Sequence, residues 1–176
     1  MGADARDGRH DFDFVFGSWS TRLARLLRPL TGSDEWAEYE GTTVVRPVWG
    51  RRANLVELDV EGKAGRIQAL SVRLHDLGTG KWSLNSASIA GGTFSPPAIG
   101  VFKEGRGEFY AEESFEGRAV VSRFVILDIT PTSCRFEQSF SADGGESWEL
   151  NWVAIDTRLG TEDRPAHLER GDPSWR

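Results

Sequence analysis

The sequence has little of what secreted, membrane-spanning or metal-binding proteins need. Cys134 is the only cysteine in 176 residues, so an intramolecular disulfide framework is excluded, and no Cys-x-x-Cys or Cys/His cluster offers a structural zinc site. Residues 1–13 contain no apolar signal segment, and no apolar run is long enough to span a bilayer. No asparagine lies in a glycosylation sequon. These absences predict a cytoplasmic protein with no metal and no membrane partner.

The chain also has no excess of positive charge. The chain has 21 Lys and Arg residues against 27 Asp and Glu residues, a net charge of -6 and a pI near 5.2. Non-specific nucleic-acid binding depends on a basic excess that neutralises phosphates. The sequence therefore predicts no nucleic-acid partner.

Large apolar side chains, in contrast, are plentiful. Hydrophobic residues make up 39% of the chain, with seven tryptophans and ten phenylalanines, which excludes a disordered or collagen-like protein. The length suits one domain with a full core. We expect this domain to cover residues 10–158, with polar extensions at 1–9 and 159–176.

Apolar and polar residues alternate with a period of two along most of the chain, which is typical of β-strands. The first such segment also has leucines at 23, 26 and 27 that fit one helical face, and we interpret it as a strand. The predicted strands are 14–27, 35–48, 52–61, 65–75, 81–89, 100–103, 107–115, 118–129, 133–140 and 147–158.

Short glycine-containing turns join most of these segments, and such turns predict antiparallel hairpins. Ten consecutive antiparallel strands leave two exposed edges unless the sheet closes. The sequence therefore predicts an all-β fold, a single antiparallel up-and-down β-barrel of about ten strands with an internal cavity. Residues 90–98, which are rich in Gly and Pro, are predicted to cross the barrel mouth as a loop.

Two motifs resemble functional sites but favour structural roles. Residues 77–81 superficially resemble a phosphate-binding loop, although the first glycine and the Ser/Thr that binds magnesium are missing. Residues 141–148 match the Asp-box of sialidase propellers, in which an aspartate caps a hairpin and a tryptophan packs beneath it. The three histidines lie far apart, so neither metal nor triad chemistry is predicted.

The strongest functional signal is the mixture of large aromatic and isolated polar residues on the strands. A ten-stranded barrel is wide enough for a cavity, and buried polar groups in it need a partner or a ligand. The candidate ligand-binding residues are Trp36, Arg73, Trp82, Asn85, Gln138 and Trp152. Because a shift of one residue exchanges the two faces of a strand, the sequence does not settle which side chains point inward.

Three functions remain open. The first is binding of a small apolar or aromatic metabolite, without a cofactor. The second is a cofactor-independent cyclase, isomerase or hydratase of secondary metabolism, with Glu113 or Glu137 transferring a proton and Arg73 or Arg123 stabilising negative charge. The third is an interaction protein that pairs as a homodimer through the short strand 100–103.

Several segments resemble known families. Gly17-x-Trp19 resembles the signature that opens lipocalin and calycin barrels. Residues 35–42, 135–141 and 143–152 resemble segments of the DUF1579-like bacterial proteins, over about residues 10–158. The resemblance implies a calycin-like barrel around a hydrophobic pocket, and we expect Arg158 to cover Trp19 by a cation–π contact. Nitrobindin, a haem-binding calycin with a C-terminal histidine ligand, is similar in outline, but His167 lies in a polar tail and haem is not expected.

Overall fold

The computed structural model describes residues 8–160, which form ten strands and two short 3₁₀ helices. The helices are Asp13–Val15 and Trp49–Arg51; the strands are β1 (Gly17–Leu26), β2 (Trp36–Val48), β3 (Ala53–Gly62), β4 (Gly65–Asp76), β5 (Lys81–Ser88), β6 (Ala98–Lys103), β7 (Arg106–Phe115), β8 (Arg118–Leu127), β9 (Ser133–Ser141) and β10 (Glu149–Arg158). The ten-strand all-β prediction is confirmed. Neither helix has the length or apolar character needed to cross a membrane. The predicted terminal extensions and His167 lie almost wholly outside the described residues.

All neighbouring strands are antiparallel, and the sheet closes because β1 pairs with both β2 and β10. Closure satisfies the backbone groups that an open sheet would leave at its edges. β6 pairs with β5 on one side and β7 on the other. Its pairing with β5 involves residues 98–100 and its pairing with β7 residues 99–103, so homodimer pairing through 100–103 stays a prediction.

The residues before β1 close one end of the barrel. Residues 13–15 form a 3₁₀ helix rather than the predicted start of a strand, because this segment turns under the barrel and buries Phe12 completely. The Phe12 ring packs edge-on against Trp82 at 4.8 Å and Phe102 at 5.0 Å between centroids. Phe109 stacks on the same ring at 6.0 Å. These four aromatic residues are called the aromatic plug below.

Arg158 connects the segment that precedes β1 to the barrel. Its guanidinium lies 4.1 Å from the centroid of the Trp19 ring, which confirms the predicted cation–π contact. The same group donates hydrogen bonds to the carbonyl oxygens of Phe14, Phe16 and Pro131. One side chain thus contacts the segment before β1, β1 itself and the β8–β9 turn.

The other end of the barrel is open, and the loop between β5 and β6 folds back over it. The Ser95 amide donates to the Ser86 carbonyl oxygen at 2.8 Å, and Pro96 reaches the barrel interior. This arrangement confirms the predicted mouth loop at 90–98.

The Asp-box-like segment is a hairpin between β9 and β10. The Asp143 carboxylate accepts hydrogen bonds from the Ser141 hydroxyl at 2.7 Å and from the Ser147 amide at 2.9 Å. These bonds hold the pKa of Asp143 well below its usual value. The Trp148 indole donates to the Gly145 carbonyl oxygen at 3.1 Å, so the segment has the structural role that its sequence predicts.

Candidate functional site

The strand register determines which side chains face the interior. Arg73 of β4 lies opposite Asn54 of β3, and Gln138 of β9 lies opposite Trp152 of β10. Because alternate residues of a strand face opposite sides, each such pair fixes the inner face of its strands.

The inner faces enclose a cavity of about 330 Å³ between the aromatic plug and the mouth loop. Apolar side chains form much of its wall, and polar groups occur at separate positions. The apolar lining residues include Val56, Leu58, Leu84, Phe124, Phe136, Trp152 and Ala154; the polar ones include Thr21, Thr43, Arg73, Glu113, Gln138 and Asp156. Such a lining suits a small apolar molecule that carries a few polar groups.

Four of the residues singled out from the sequence line this cavity. They are Arg73, Glu113, Gln138 and Trp152. Arg73 lies deep, next to the plug, whereas Glu113 is half-buried nearer the mouth. The structure therefore brings one cation, one carboxylate, one amide and one indole into the same space.

Three predicted ligand-binding residues lie elsewhere. Trp82 faces inward but belongs to the plug, where it is fully buried and its indole donates to the Gly8 carbonyl oxygen at 3.0 Å. Asn85 lies on the outer face, with its amide donating to the Val72 carbonyl oxygen at 3.0 Å. Trp36 is on the outer face at the open rim and is 38% exposed. The prediction that these three residues line the cavity is therefore wrong.

Glu137 and Arg123, two of the proposed catalytic residues, are also outside the barrel. Glu137 forms a 2.7 Å ion pair with Arg135 of the same strand face. The Arg123 guanidinium stacks on the Trp148 ring at 4.4 Å. Their inner-face neighbours in the sequence, Gln138 and Phe124, line the cavity instead. The predicted interior positions of Glu137 and Arg123 are therefore wrong, because each residue lies one position away from the residue that faces the cavity.

Arg73 is the deepest charged group of the cavity, and only 5% of it is exposed. Its guanidinium lies 4.6 Å from the Phe12 ring centroid and 5.8 Å from that of Phe136. Neither Nε nor Nη1 has a hydrogen-bond partner within residues 8–160. Burial lowers the pKa of Arg73 to about 10, so the group remains a cation at neutral pH.

Asp156 is a second buried charged residue of the cavity, and the sequence analysis did not predict it. The Thr21 hydroxyl donates to its carboxylate at 2.6 Å, and Thr43 lies 2.6 Å from the same hydroxyl. Burial raises the pKa of Asp156 to about 6, against a smaller opposite effect of the Thr21 hydrogen bond and of Arg73. The available signal was the period-two series Trp152, Ala154, Asp156, which places the aspartate on the face of the cavity tryptophan.

A second, larger depression of about 700 Å³ lies on the outer surface, between β2–β4 and the mouth loop. We refer to it as the outer groove. Its walls include Ile89 and Phe94, and its charged groups Arg46 and Glu57 form an ion pair at 2.8 Å. Asp59, the third charged group of the outer groove, forms an ion pair with Arg66 at 2.6 Å, whereas Arg73 of the cavity has two N–H groups without a partner within residues 8–160. Across residues 8–160, no cluster of three or more His, Cys, Asp or Glu side chains suits a metal ion.

Comparisons with known proteins support the fold. The chain is similar in structure to an S-type phycobiliprotein lyase, CPES, from Guillardia theta, with 12% sequence identity, a TM-score of 0.59, and coverage of 92% of this chain and 99% of that one. It is also similar to Rv2717c from M. tuberculosis, with 15% identity, a TM-score of 0.57, and coverage of 84% and 94%.

No protein-family model and no curated protein matches the sequence. The structural similarity covers 92% and 84% of this chain and supports the closed ten-stranded antiparallel barrel. At these identities the similarity extends to the fold alone.

Proposed function

We propose that this protein binds a small, mainly apolar or aromatic metabolite inside the barrel. The observation that carries the proposal is the cavity of about 330 Å³, which is walled by the inner faces of the strands and covered at one end by the aromatic plug. Its volume is within the range of small-molecule sites. The Trp152 and Phe136 rings offer flat apolar contacts, and Gln138 and Glu113 offer hydrogen-bonding groups near the mouth.

The motif resemblance adds a narrower proposal, membership of the DUF1579-like bacterial family. The single cysteine, Cys134, separately favours a reducing, cytoplasmic location. One structural neighbour is a phycobiliprotein lyase, so barrels of this shape include a protein whose name describes action on another molecule. This similarity is consistent with an interior that receives a small organic molecule. It does not identify the molecule bound here.

Binding is tested with N-phenylnaphthylamine, a neutral dye that fluoresces in apolar surroundings. We expect the dye to bind wild-type protein with a fluorescence increase that saturates at one equivalent. Ala111→Trp and Ala154→Trp each place a large side chain in the cavity, because both alanines line it and neither lines the outer groove. Each variant is expected to weaken dye binding by about tenfold or more, since the added ring occupies the space of the ligand.

Ala119→Trp is the matched control, because Ala119 is an exposed residue on the outer face of β8. This variant should bind the dye as wild type does. Equal binding by all three tryptophan variants, each folded by circular dichroism, would show that the dye does not enter the barrel. Absence of any saturable binding to wild type would refute the binding proposal itself.

Cofactor-independent catalysis is a second candidate function, favoured by the two carboxylates of the cavity. Glu113 forms no hydrogen bond or ion pair with any residue in the range 8–160, so its carboxylate is free to meet a substrate. Asp156, with a pKa of about 6, exchanges a proton near neutral pH. A cyclase, isomerase or hydratase of secondary metabolism needs little more than one such group beside a correctly folded substrate.

The test of catalysis is a metabolite-turnover screen followed by mass spectrometry. If a compound is converted, Glu113→Gln is expected to lower kcat by about a hundredfold, because a positioned acid or base typically contributes this much. Glu137→Gln is the control with the same chemistry, since Glu137 lies outside the barrel. Turnover that survives Glu113→Gln unchanged would remove Glu113 from the reaction.

A further inference from the structure

Unsatisfied polar atoms are concentrated at the floor of the barrel. Within residues 8–160, ten buried side-chain nitrogen or oxygen atoms have no hydrogen-bond partner, and six of them belong to Asn54, Arg73 and His75. Folded proteins leave few such atoms unpaired, and each one is costly. A concentration of them beside a cavity indicates a place where another molecule supplies the missing partners.

Arg73 is the member of this group that reaches the cavity. It is 95% buried, lines the cavity, and leaves Nε and Nη1 without acceptors. Phe12 and Phe136 hold its guanidinium on two sides, so the side chain has little freedom to move toward water. The structure thus holds a desolvated cation with two unpaired N–H groups in the lining of the cavity.

Asn54 stands directly beside this arginine. The two residues are cross-strand partners on β3 and β4, and their side chains occupy the same face. Asn54 is completely buried, and both atoms of its amide are unpartnered within the described residues. Asn54 is not part of the cavity lining, and its NH₂ group is a further unpaired neutral donor on the strand beside Arg73.

We propose that the cavity floor is an anion-binding subsite, in which Arg73, supported by Asn54, binds the carboxylate or an equivalent singly charged group of an otherwise apolar ligand. This inference rests on the proposed function, because it assumes that the ligand enters the barrel. It narrows the ligand to an amphipathic monoanion whose apolar part extends from the floor toward Trp152 and the mouth. A doubly charged phosphate would require more positive charge than one buried arginine provides.

Asp156 lies in the same lining and has to be compatible with an anion. The groups that face it are Thr21 from β1, Cys134 from β9 and Arg73 from β4. Burial already raises the pKa of Asp156 to about 6, and a bound anion raises it further. In its protonated form Asp156 carries no charge and offers a further O–H donor, so it accommodates a single negative charge at the floor.

Two related dyes separate this inference from the proposed function. Anilinonaphthalenesulfonate is N-phenylnaphthylamine with one added sulfonate, so the pair differs by a single negative charge. We expect Arg73→Met to weaken binding of the sulfonate dye by about tenfold or more and binding of the neutral dye by less than about twofold. Methionine fills a similar space between the two phenyl rings, and Arg73→Lys, which keeps the charge, is expected to retain part of the preference for the sulfonate.

Arg46→Met is the matched control, because Arg46 is a cation of the outer groove. It should leave the affinities for both dyes unchanged. Loss of sulfonate-dye binding in Arg46→Met but not in Arg73→Met would place the anion in the outer groove and overturn the inference. An equal loss of both dyes in a folded Arg73→Met variant, or no loss of either, would also overturn it.

The outcomes for the two proposals are distinct. If wild type binds the neutral dye in the barrel but shows no Arg73-dependent preference for the sulfonate, the anion subsite is refuted and the binding proposal stands. If neither dye binds wild type, the binding proposal is refuted as well.

Discussion

Arg158→Ala should unfold well below the wild-type melting temperature while its folded form still binds N-phenylnaphthylamine normally. The substitution removes the cation–π contact with Trp19 and the donors to the carbonyl oxygens of Phe14, Phe16 and Pro131. These contacts together suggest a loss of about 3–5 kcal/mol, since hydrogen bonds from charged donors and cation–π contacts each contribute one to a few kcal/mol. For a domain of this size the melting temperature should fall by roughly 8–15 °C.

Thermal unfolding followed by circular dichroism measures this effect, and Arg22→Ala provides the reference. Arg22 is an exposed arginine on the outer face of β1, so its loss should change stability little. Arg158→Lys should also be destabilised, because an ammonium group cannot reach three separate carbonyl oxygens from one position. A stable Arg158→Ala variant with weakened dye binding would reverse the role assigned to this residue.

Gly41→Ala is expected to prevent stable folding. Gly41 lies in the middle of β2 with its missing side chain directed at β3, where an added Cβ would come within 2.0 Å of the Asp59 carbonyl oxygen and 2.7 Å of the Val60 Cα. These are backbone atoms of a paired strand and cannot move aside as a flexible side chain would. β2 and β3 would have to separate, at a cost on the order of 4 kcal/mol or more.

Urea denaturation of Gly41→Ala beside Gly91→Ala tests this prediction. Gly91 is in the exposed mouth loop, and a Cβ there would meet its nearest neighbour, the Ser88 hydroxyl, at 3.4 Å. The Gly91 variant should lie within about 0.5 kcal/mol of wild type. Equal stability of the two variants would show that β2 and β3 adjust to a side chain at position 41 without loss of pairing.

The strands and hairpins were accessible from sequence because they depend on local chemistry. Period-two alternation and glycine turns identify all ten strands, with boundaries that differ from the structure by a few residues. The contact between Arg158 and Trp19 followed from a family resemblance, since the two residues are far apart in the sequence. The steric need for Gly41 had no local signal, because it arises from the close approach of the next strand.

The site was harder to predict because it depends on register and on long-range packing. A one-residue difference separates Glu137, which is outside, from Gln138, which is inside, and charge or polarity does not distinguish the two. Trp82 faces inward as expected. However, the segment before β1 packs Phe12 against its ring, so Trp82 belongs to the aromatic plug and not to the cavity wall. Asp156 resembled an ordinary surface carboxylate until closure of β1 on β10 placed Thr21 beside it.

The most direct test of an interior binding site is a crystal structure of the protein with N-phenylnaphthylamine. We predict that the naphthyl ring lies in the cavity against Trp152 and Phe136, between the aromatic plug and the mouth loop. A dye molecule bound instead in the outer groove, against Ile89 and Phe94, with protein side chains filling the barrel, would contradict the proposal that this protein binds its ligand inside.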